Sequence, residues 1–269
     1  MVMAPYHHEG GATIYHANAL EVLRSIPDQA VGAVITDPPY SSGGWSVPER
    51  TKAAPEHKYQ STGVIKPLSG FEGDNRDQRS HGYWQALWLG ECLRATVAGG
   101  SCLVFTDWRQ LPTTTDALQA GGWVWQGIVV WHKRTARPRS GGFSASCEYV
   151  VWGSKGPLRR DHEVYLPGLI STEVARAKSH LAEKPLSLLG VLVQLAPLGT
   201  VVLDPFMGSG STLVAAIRAG RLAVGVELDE SFCAVAVRRL AQGVLELHES
   251  GTAISEPLSL KNPEQGPAS

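Results

Sequence analysis

Thr200-Val-Val-Leu-Asp204-Pro-Phe-Met-Gly208-Ser-Gly210-Ser-Thr212 decides how the rest of the chain is read. Thr200 to Asp204 is a short apolar run rich in β-branched residues, as a buried strand requires. Gly208 and Gly210 make a turn that lets a ligand approach the backbone. Ser211 to Ala219 then has helical composition, and a helix start offers free N–H groups and a positive dipole end to an anion. Leu222-Ala-Val-Gly-Val-Glu227 is the next strand. It ends on an acid nineteen positions after Gly208, where a carboxylate can take both hydroxyls of a ribose. No GK[ST] follows the glycines, so this is not a P-loop, and Leu213 stands where a dinucleotide site wants a third glycine. A glycine turn without a ligand is the plain alternative. Among ligands, an adenosyl group carrying a carboxylate fits better than a diphosphate, with the carboxylate at Ser211-Thr212 and the ribose at Glu227.

Strands and helices alternate outward from this unit. Val31 to Thr36 and Ser101 to Thr106 read as buried strands. Tyr83 to Val97 reads as a helix stopped by Gly99-Gly100, and Leu111 to Ala120 as a helix closed by Gly121-Gly122. Trp123 to Trp131 and Cys147 to Trp152 are β-rich and suit an antiparallel pair at a sheet edge. Pro185 opens a helix running to about Ala196, proline being suited to a first turn, and Asp229 to Ala241 is another helix. The pattern predicts a doubly wound α/β fold with a largely parallel sheet. Ser41 to Ser80 and Lys155 to Ser179 interrupt it, and the tail after about Leu247 has the composition of a disordered terminus.

The 269 residues are 43% hydrophobic with a net charge of -1. This allows one sizeable core and requires any nucleic-acid surface to be local. Cys92, Cys102, Cys147 and Cys233 form no CxxC pair, so reduced thiols are expected rather than disulfides or zinc. No leader and no membrane-spanning run is read, and the chain is expected in the cytoplasm.

The first strand ends in Asp37-Pro38-Pro39-Tyr40. Each proline fixes its φ, biases the residue before it and lacks an N–H. The turn is therefore rigid and rich in acceptors, the Asp37 carboxylate and the Pro38 carbonyl, with a flat ring beside them. A rigid strand-ending turn with no chemistry is the alternative. The arrangement suits one problem, the exocyclic amino group of adenine or cytosine, whose lone pair is delocalised into the ring. Two acceptors on its two N–H bonds draw it toward tetrahedral geometry. The ring holds the base once it is flipped out of the duplex. Direct in-line transfer then needs neither metal nor covalent intermediate.

With both motifs in hand, the sequence resembles the DNA amino-methyltransferases, and more narrowly their permuted beta class. Asp37-Pro-Pro-Tyr40, His180-Leu-Ala-Glu-Lys-Pro185 and Asp204-Pro-Phe-Met-Gly-Ser-Gly210 with Glu227 carry the resemblance, over about residues 14 to 241. It implies a Rossmann-like methyltransferase fold and S-adenosyl-L-methionine as cofactor. Asp204, Phe206, Gly208, Ser209, Gly210, Ser211 and Thr212 would surround the methionine part and adenine, and Glu227 with Leu228 the ribose. His180 and Lys184 would lie beside the cofactor. Asn18, followed by Ala19, stands where the family usually has an acid capping the cofactor adenine. Phe143 to Gly153, with Glu148-Tyr149, resembles the sheet-edge motif that packs behind the flipped base. Protein-glutamine and ribosomal-guanine methyltransferases carry Asn-Pro-Pro-Tyr and the reverse motif order. Cytosine-C5 enzymes need a Pro-Cys nucleophile, and no cysteine here follows a proline.

The resulting organisation is a single domain over 1–247: a catalytic half at about 14–155 with an insertion at 41–80, a recognition segment at about 155–179, and a cofactor half at 180–247, followed by a disordered tail at 248–269. Lys133, Arg134, Arg137, Arg139, Lys155, Arg159 and Arg160 share a span with one acid, Glu148, interleaved with Trp131 and Trp152. This suits DNA phosphates, against a plain solvated basic face. The insertion, with Trp45, His57, Tyr59 and Arg76, would close over the flipped base or read sequence. The expected activity is adenine-N6 methylation of double-stranded DNA. Cytosine-N4 methylation is the runner-up, and an idle DNA-binding protein keeping the cofactor fold is the alternative of another class. A homodimer is a possible assembly; neither membrane nor metal is expected.

Overall fold

The computed structural model describes residues 3–41, 76–136, 140–159, 163–173 and 184–250, with side chains as far as 242. The chain runs β1 His7–Glu9, β2 Ala12–His16, α1 Ala19–Ser25, β3 Val31–Thr36, α2 Gln78–Ala95, β4 Thr96–Thr106 and α3 Leu111–Ala120. It continues β5 Val124–Lys133, β6 Cys147–Ser154, β7 Leu169–Thr172, α4 Leu186–Leu192 with a 3-10 turn Val193–Leu195, β8 Val201–Asp204, α5 Ser211–Arg218, β9 Leu222–Glu227 and α6 Glu230–Ser250.

Among the described residues, nine strands form one sheet in the order β1-β2-β9-β8-β3-β4-β6-β5-β7. Strands β2, β9, β8, β3 and β4 are mutually parallel. Strand β6 runs against both β4 and β5, so the expected antiparallel pair is present. Every residue of β3 is buried, because helices cover both faces and a doubly covered strand needs no polar alternation. Ile35, Phe105, Leu188, Leu192, Leu213 and Ile217 pack on one face. Val34, Val104, Leu23, Trp88, Leu89 and Leu118 pack on the other. The chain leaves β8 toward β9 and leaves β3 toward β4, in opposite directions across the sheet. This makes β8/β3 the topological switch point, where α/β sheets open a crevice for ligands.

Several boundaries differ from the sequence reading. Helix α2 begins at Gln78, before Tyr83, because Asp77 caps it: its side chain accepts from the Ser80 N–H at 3.0 Å. Gly99-Gly100 does not stop that helix. The helix ends at Ala95, and the Thr96 hydroxyl donates to Cys92 O at 2.7 Å. The two glycines lie inside β4, where the β3–β4 register shifts. A Cβ on Gly100 would meet Gly32 O at 2.8 Å, so the irregular ladder requires glycine there. The stretch 155–179, read as irregular, holds β7. Residues 7–25, read only for their motif, form two short strands and a helix too brief for periodicity to mark. Helix α6 runs to Ser250, past the expected end of the ordered chain; residues 251–269 lie outside the described residues, as does most of the insertion, 42–75. Ser41 and Arg76, which flank that segment, meet through Arg76 N donating to Ser41 Oγ at 3.4 Å.

Candidate active site

The parallel strands end on one edge of the sheet, and the predicted residues from β2, β9, β8 and β3 collect there. The Thr36 hydroxyl donates to Asp204 Oδ1 at 2.7 Å, which also accepts from the Phe206 N–H at 3.1 Å. One carboxylate thereby ties the strand before Asp37 to the glycine loop. Burial pushes the Asp204 carboxyl up to about 6, opposed by hydrogen bonds from Thr36, Thr212 and the Phe206 amide.

Gly208 and Gly210 both take positive φ, +50° and +78°. A Cβ on Gly210 would stand 2.7 Å from that of Ala236, whereas one on Gly208 would meet nothing within 4 Å. Gly210 therefore serves close packing on α6, and Gly208 leaves a stretch of backbone facing open space. No side chain caps α5 at Gly210, so its leading amides are free to donate. Glu227 lies beside this turn. Its Oε2 accepts from Gly208 N at 3.0 Å, and its Oε1 from the amides of Leu228 and Asp229 at 2.8 and 2.9 Å. Burial raises its carboxyl, and these amides hold the rise back. The β2 register carries Ala17 onto Glu227 O at 3.0 Å, which brings Asn18 and Ala19 beside Glu227 and Leu228. Asn18 itself caps α1 through Leu20 N at 3.0 Å, so Asn serves there as a helix cap. The Phe206 ring packs against Trp84 and Trp88, both at 5.2 Å between centroids. An open glycine, uncapped amides and an acid at the next strand end are a donor and acceptor set that fits an adenosyl ligand bearing a carboxylate.

At Asp37 the geometry is ionic. Tyr40 Oη donates to Asp37 Oδ1 at 2.6 Å, and the Lys184 ammonium donates to Oδ2. Lys184 also reaches Tyr40 Oη at 3.3 Å and Glu148 Oε2 at 3.5 Å. Lys133 donates to the other Glu148 oxygen at 2.8 Å. The Lys184 Nζ lies 5.1 Å from the Phe105 ring centroid and 5.5 Å from that of Tyr40, within cation–π range. Burial raises Asp37, and Lys184 restrains the rise. Burial would lower Lys184, but the two carboxylates hold it above the usual lysine range. Glu148 is held low by Lys184 and Lys133 despite its burial. Tyr40 is pushed well up by burial and Asp37, so it is a neutral donor.

Among the described residues, the basic side chains do not gather in one patch. Strand register puts Lys133 and Arg134 at the Tyr149 end of β5–β6, on the side of Asp37, and Lys155 at the far end beside Ser154 and Ser101. Lys133 is engaged with Glu148. Lys155 donates to Arg94 O at 3.2 Å and Thr96 O at 2.8 Å, closing the end of α2. Arg159 lies near Gly99 at that same far end. Arg134 is exposed. Trp131 is 2% exposed and donates to Thr172 Oγ1, so it belongs to the core rather than to a surface. His180, Arg137, Arg139 and Arg160 lie outside the described residues.

Three side chains at this site escaped the sequence reading in these roles: Thr36, Glu148 as an ion-pair partner, and Arg239. The Arg239 guanidinium donates to Ser209 O, Ser209 Oγ and Ser211 Oγ at 2.8–2.9 Å, bracing the glycine loop. Thr36 was findable as the last residue before Asp37. The other two lie far in sequence from what they hold and leave no local signal. Among the described residues, no group of three His, Cys, Asp or Glu could hold a metal ion, and no helix is long and apolar enough to cross a membrane.

Comparison with known proteins bears on the whole arrangement. The profile of the family described as DNA methylase, that of the N6 and N4 methyltransferases, matches residues 31–167 and 162–238. The type II methyltransferase M.ScaI of Streptomyces caespitosus is 25% identical over 88% of this chain and 83% of its own length. M.HinfI of Haemophilus influenzae is 26% identical over 86% and 68%. Among solved structures, TTHA0409 of Thermus thermophilus superposes with a TM-score of 0.63 at 24% identity, over 91% of this chain and 99% of its own. One structure of that protein holds S-adenosyl-L-methionine. PvuII DNA methyltransferase, described as cytosine-N4-specific, gives 0.65 at 16%, over 91% and 97%. At these identities the structural likeness is one of fold. The family match is broader, spanning both the acceptor turn and the glycine loop, and the chain belongs to the N6 and N4 DNA methylases, enzymes that draw their methyl group from S-adenosyl-L-methionine.

Proposed function

We propose that this chain methylates the N6 amino group of adenine in double-stranded DNA, from S-adenosyl-L-methionine, after flipping the base. One observation carries the reading: Asp37 and the glycine loop stand at adjacent strand ends joined by the Thr36–Asp204 hydrogen bond, so acceptor and cofactor loop share one crevice. The acceptor turn preceding the glycine loop supports the permuted beta class, and an Asp at the first motif position is commoner among the adenine enzymes of the family that the sequence resembles.

The cofactor supplies a methyl group on a sulfonium. Glu227 accepts the ribose hydroxyls, while the amides opening α5, that of Thr212 among them, and the Ser211 hydroxyl donate to the carboxylate. The Asp37 carboxylate and the Pro38 carbonyl accept the two N–H bonds of the base, Pro39 keeps the turn rigid, and Tyr40 offers its ring to the flipped base. With its lone pair freed, the amino nitrogen attacks the methyl carbon in line as the C–S bond breaks. The surplus proton on nitrogen passes to Asp37. Positioning and electrostatics supply the rate. Arg134, exposed on the Asp37 side of the sheet, would meet DNA phosphates.

The test is transfer of an isotope-labelled methyl group from the cofactor to unmethylated duplex DNA, followed by digestion to nucleosides and mass spectrometry. Label on N6-methyladenine is expected. Label on N4-methylcytosine would keep the mechanism and change the base, and no label on DNA would reject the reading.

A further inference from the structure

We infer that Lys184 exchanges partners during turnover, moving from Asp37 to Glu148 when the target amino group arrives, and that Glu148 is the positioning residue that receives it. This rests on the amino-methylation reading above.

The argument starts from what Asp37 is doing in the free protein. Both of its oxygens are already engaged, Oδ1 by the Tyr40 hydroxyl and Oδ2 by the Lys184 ammonium. An acceptor meant for an amino N–H is thus capped by a stronger donor. The cap also has the wrong charge for the reaction. The attacking nitrogen gains positive charge as it takes the methyl group, so an ammonium held on the same carboxylate weakens the acceptor and repels the developing cation.

Lys184 cannot simply leave, since its side chain is only 11% exposed and an unpaired buried ammonium is costly. Glu148 provides the alternative. Its Oε1 is taken by Lys133 at 2.8 Å. Its Oε2 is buried without a hydrogen bond and stands 3.5 Å from Lys184 Nζ. Buried carboxylate oxygens are ordinarily hydrogen-bonded, and this one has only the longer ion pair with Lys184, so it is an acceptor placed to take that cation more closely. A small swing of the ammonium would fill it and clear Asp37. The Phe105, Tyr40 and Trp131 rings, with centroids at 5.1, 5.5 and 6.0 Å from Nζ, surround the ammonium and favour a cation there. Two acids and two lysines keep the cluster neutral while the partner changes, before Asp37 takes the proton.

The test uses single-turnover methyl transfer to unmethylated duplex DNA with saturating labelled S-adenosyl-L-methionine, together with cofactor binding by titration calorimetry. Glu148→Gln should lower the transfer rate by about tenfold or more with cofactor affinity and thermal stability nearly unchanged, because Lys184 then stays on Asp37. Glu148→Asp, which keeps the charge, should recover part of the rate. The discriminating variant is Glu148→Gln combined with Lys184→Met: with the cap removed as well, transfer should be faster than in Glu148→Gln alone. A purely structural role for Glu148 predicts the opposite order. A Glu148→Gln rate within about threefold of wild type, or a double variant no faster than the single, overturns the exchange while leaving amino-methylation standing. A wild-type chain that puts no methyl group on DNA overturns both.

Discussion

Two turns at neighbouring strand ends, Asp37–Tyr40 and Asp204–Thr212, do opposite things with the same resource, the backbone amide. The first contains two prolines and so presents carbonyl and carboxylate oxygens with few N–H groups among them. The second contains two glycines at positive φ and opens an uncapped helix, so it presents N–H groups. A substrate amino group donates hydrogen bonds and a cofactor carboxylate accepts them. On the proposed reading each partner meets its complement, and the sheet's switch point sets the two turns side by side. The two turns should therefore fail differently when damaged.

The largest effect is expected at the acceptor turn. Asp37→Ala should lower methyl transfer on the order of 10²–10³-fold, the loss seen when one group that stabilises transition-state charge is removed; a radiolabel assay checks it. In the donor turn, Glu227→Gln should weaken cofactor binding by roughly tenfold to hundredfold, the scale of a hydrogen bond to a charged acceptor, read by calorimetry. Gly210→Val should destabilise the fold by roughly 2–4 kcal/mol, since it combines positive φ with a clash on Ala236; denaturant melts test this.

Asp204 joins the two turns, and its effect should appear as pH-dependent stability. Its folded carboxyl lies at about 6, above an ordinary Asp, so between about pH 4 and 6 the folded state binds the extra proton and stability falls as pH rises. Asp204→Asn keeps an acceptor for Thr36, removes the buried charge, and should flatten that slope. The smallest effect is expected far from both turns. Lys155→Ala should cost about 1 kcal/mol through the end of α2 and leave the salt dependence of DNA binding unchanged, whereas Arg134→Ala should reduce that slope by about one.

The strand–turn–helix unit at 200–219 was legible because its apolar run, glycines and next acid are local signals, and so was the acceptor turn. The order of the strands was not, because pairing β3 with β8 joins residues more than 150 positions apart and nothing local encodes it. The same holds for the ion cluster. The motif marks Lys184, but that it rests on Asp37 and faces Glu148 depends on three elements meeting. The basic span misled for a related reason: nearness in sequence across an antiparallel pair puts Lys133 and Lys155 at opposite ends of the strands. Gly99-Gly100 misled because glycines after a helix read as a stop, whereas here they serve a bulge.

The division of labour between the turns is tested most directly by titrating S-adenosyl-L-methionine into Asp37→Ala. If Asp37 acts on the substrate amino group and the cofactor is held by the glycine loop with Glu227, the variant should bind it with a dissociation constant within about threefold of wild type, a difference under 1 kcal/mol. Loss of cofactor binding together with loss of transfer would contradict the account.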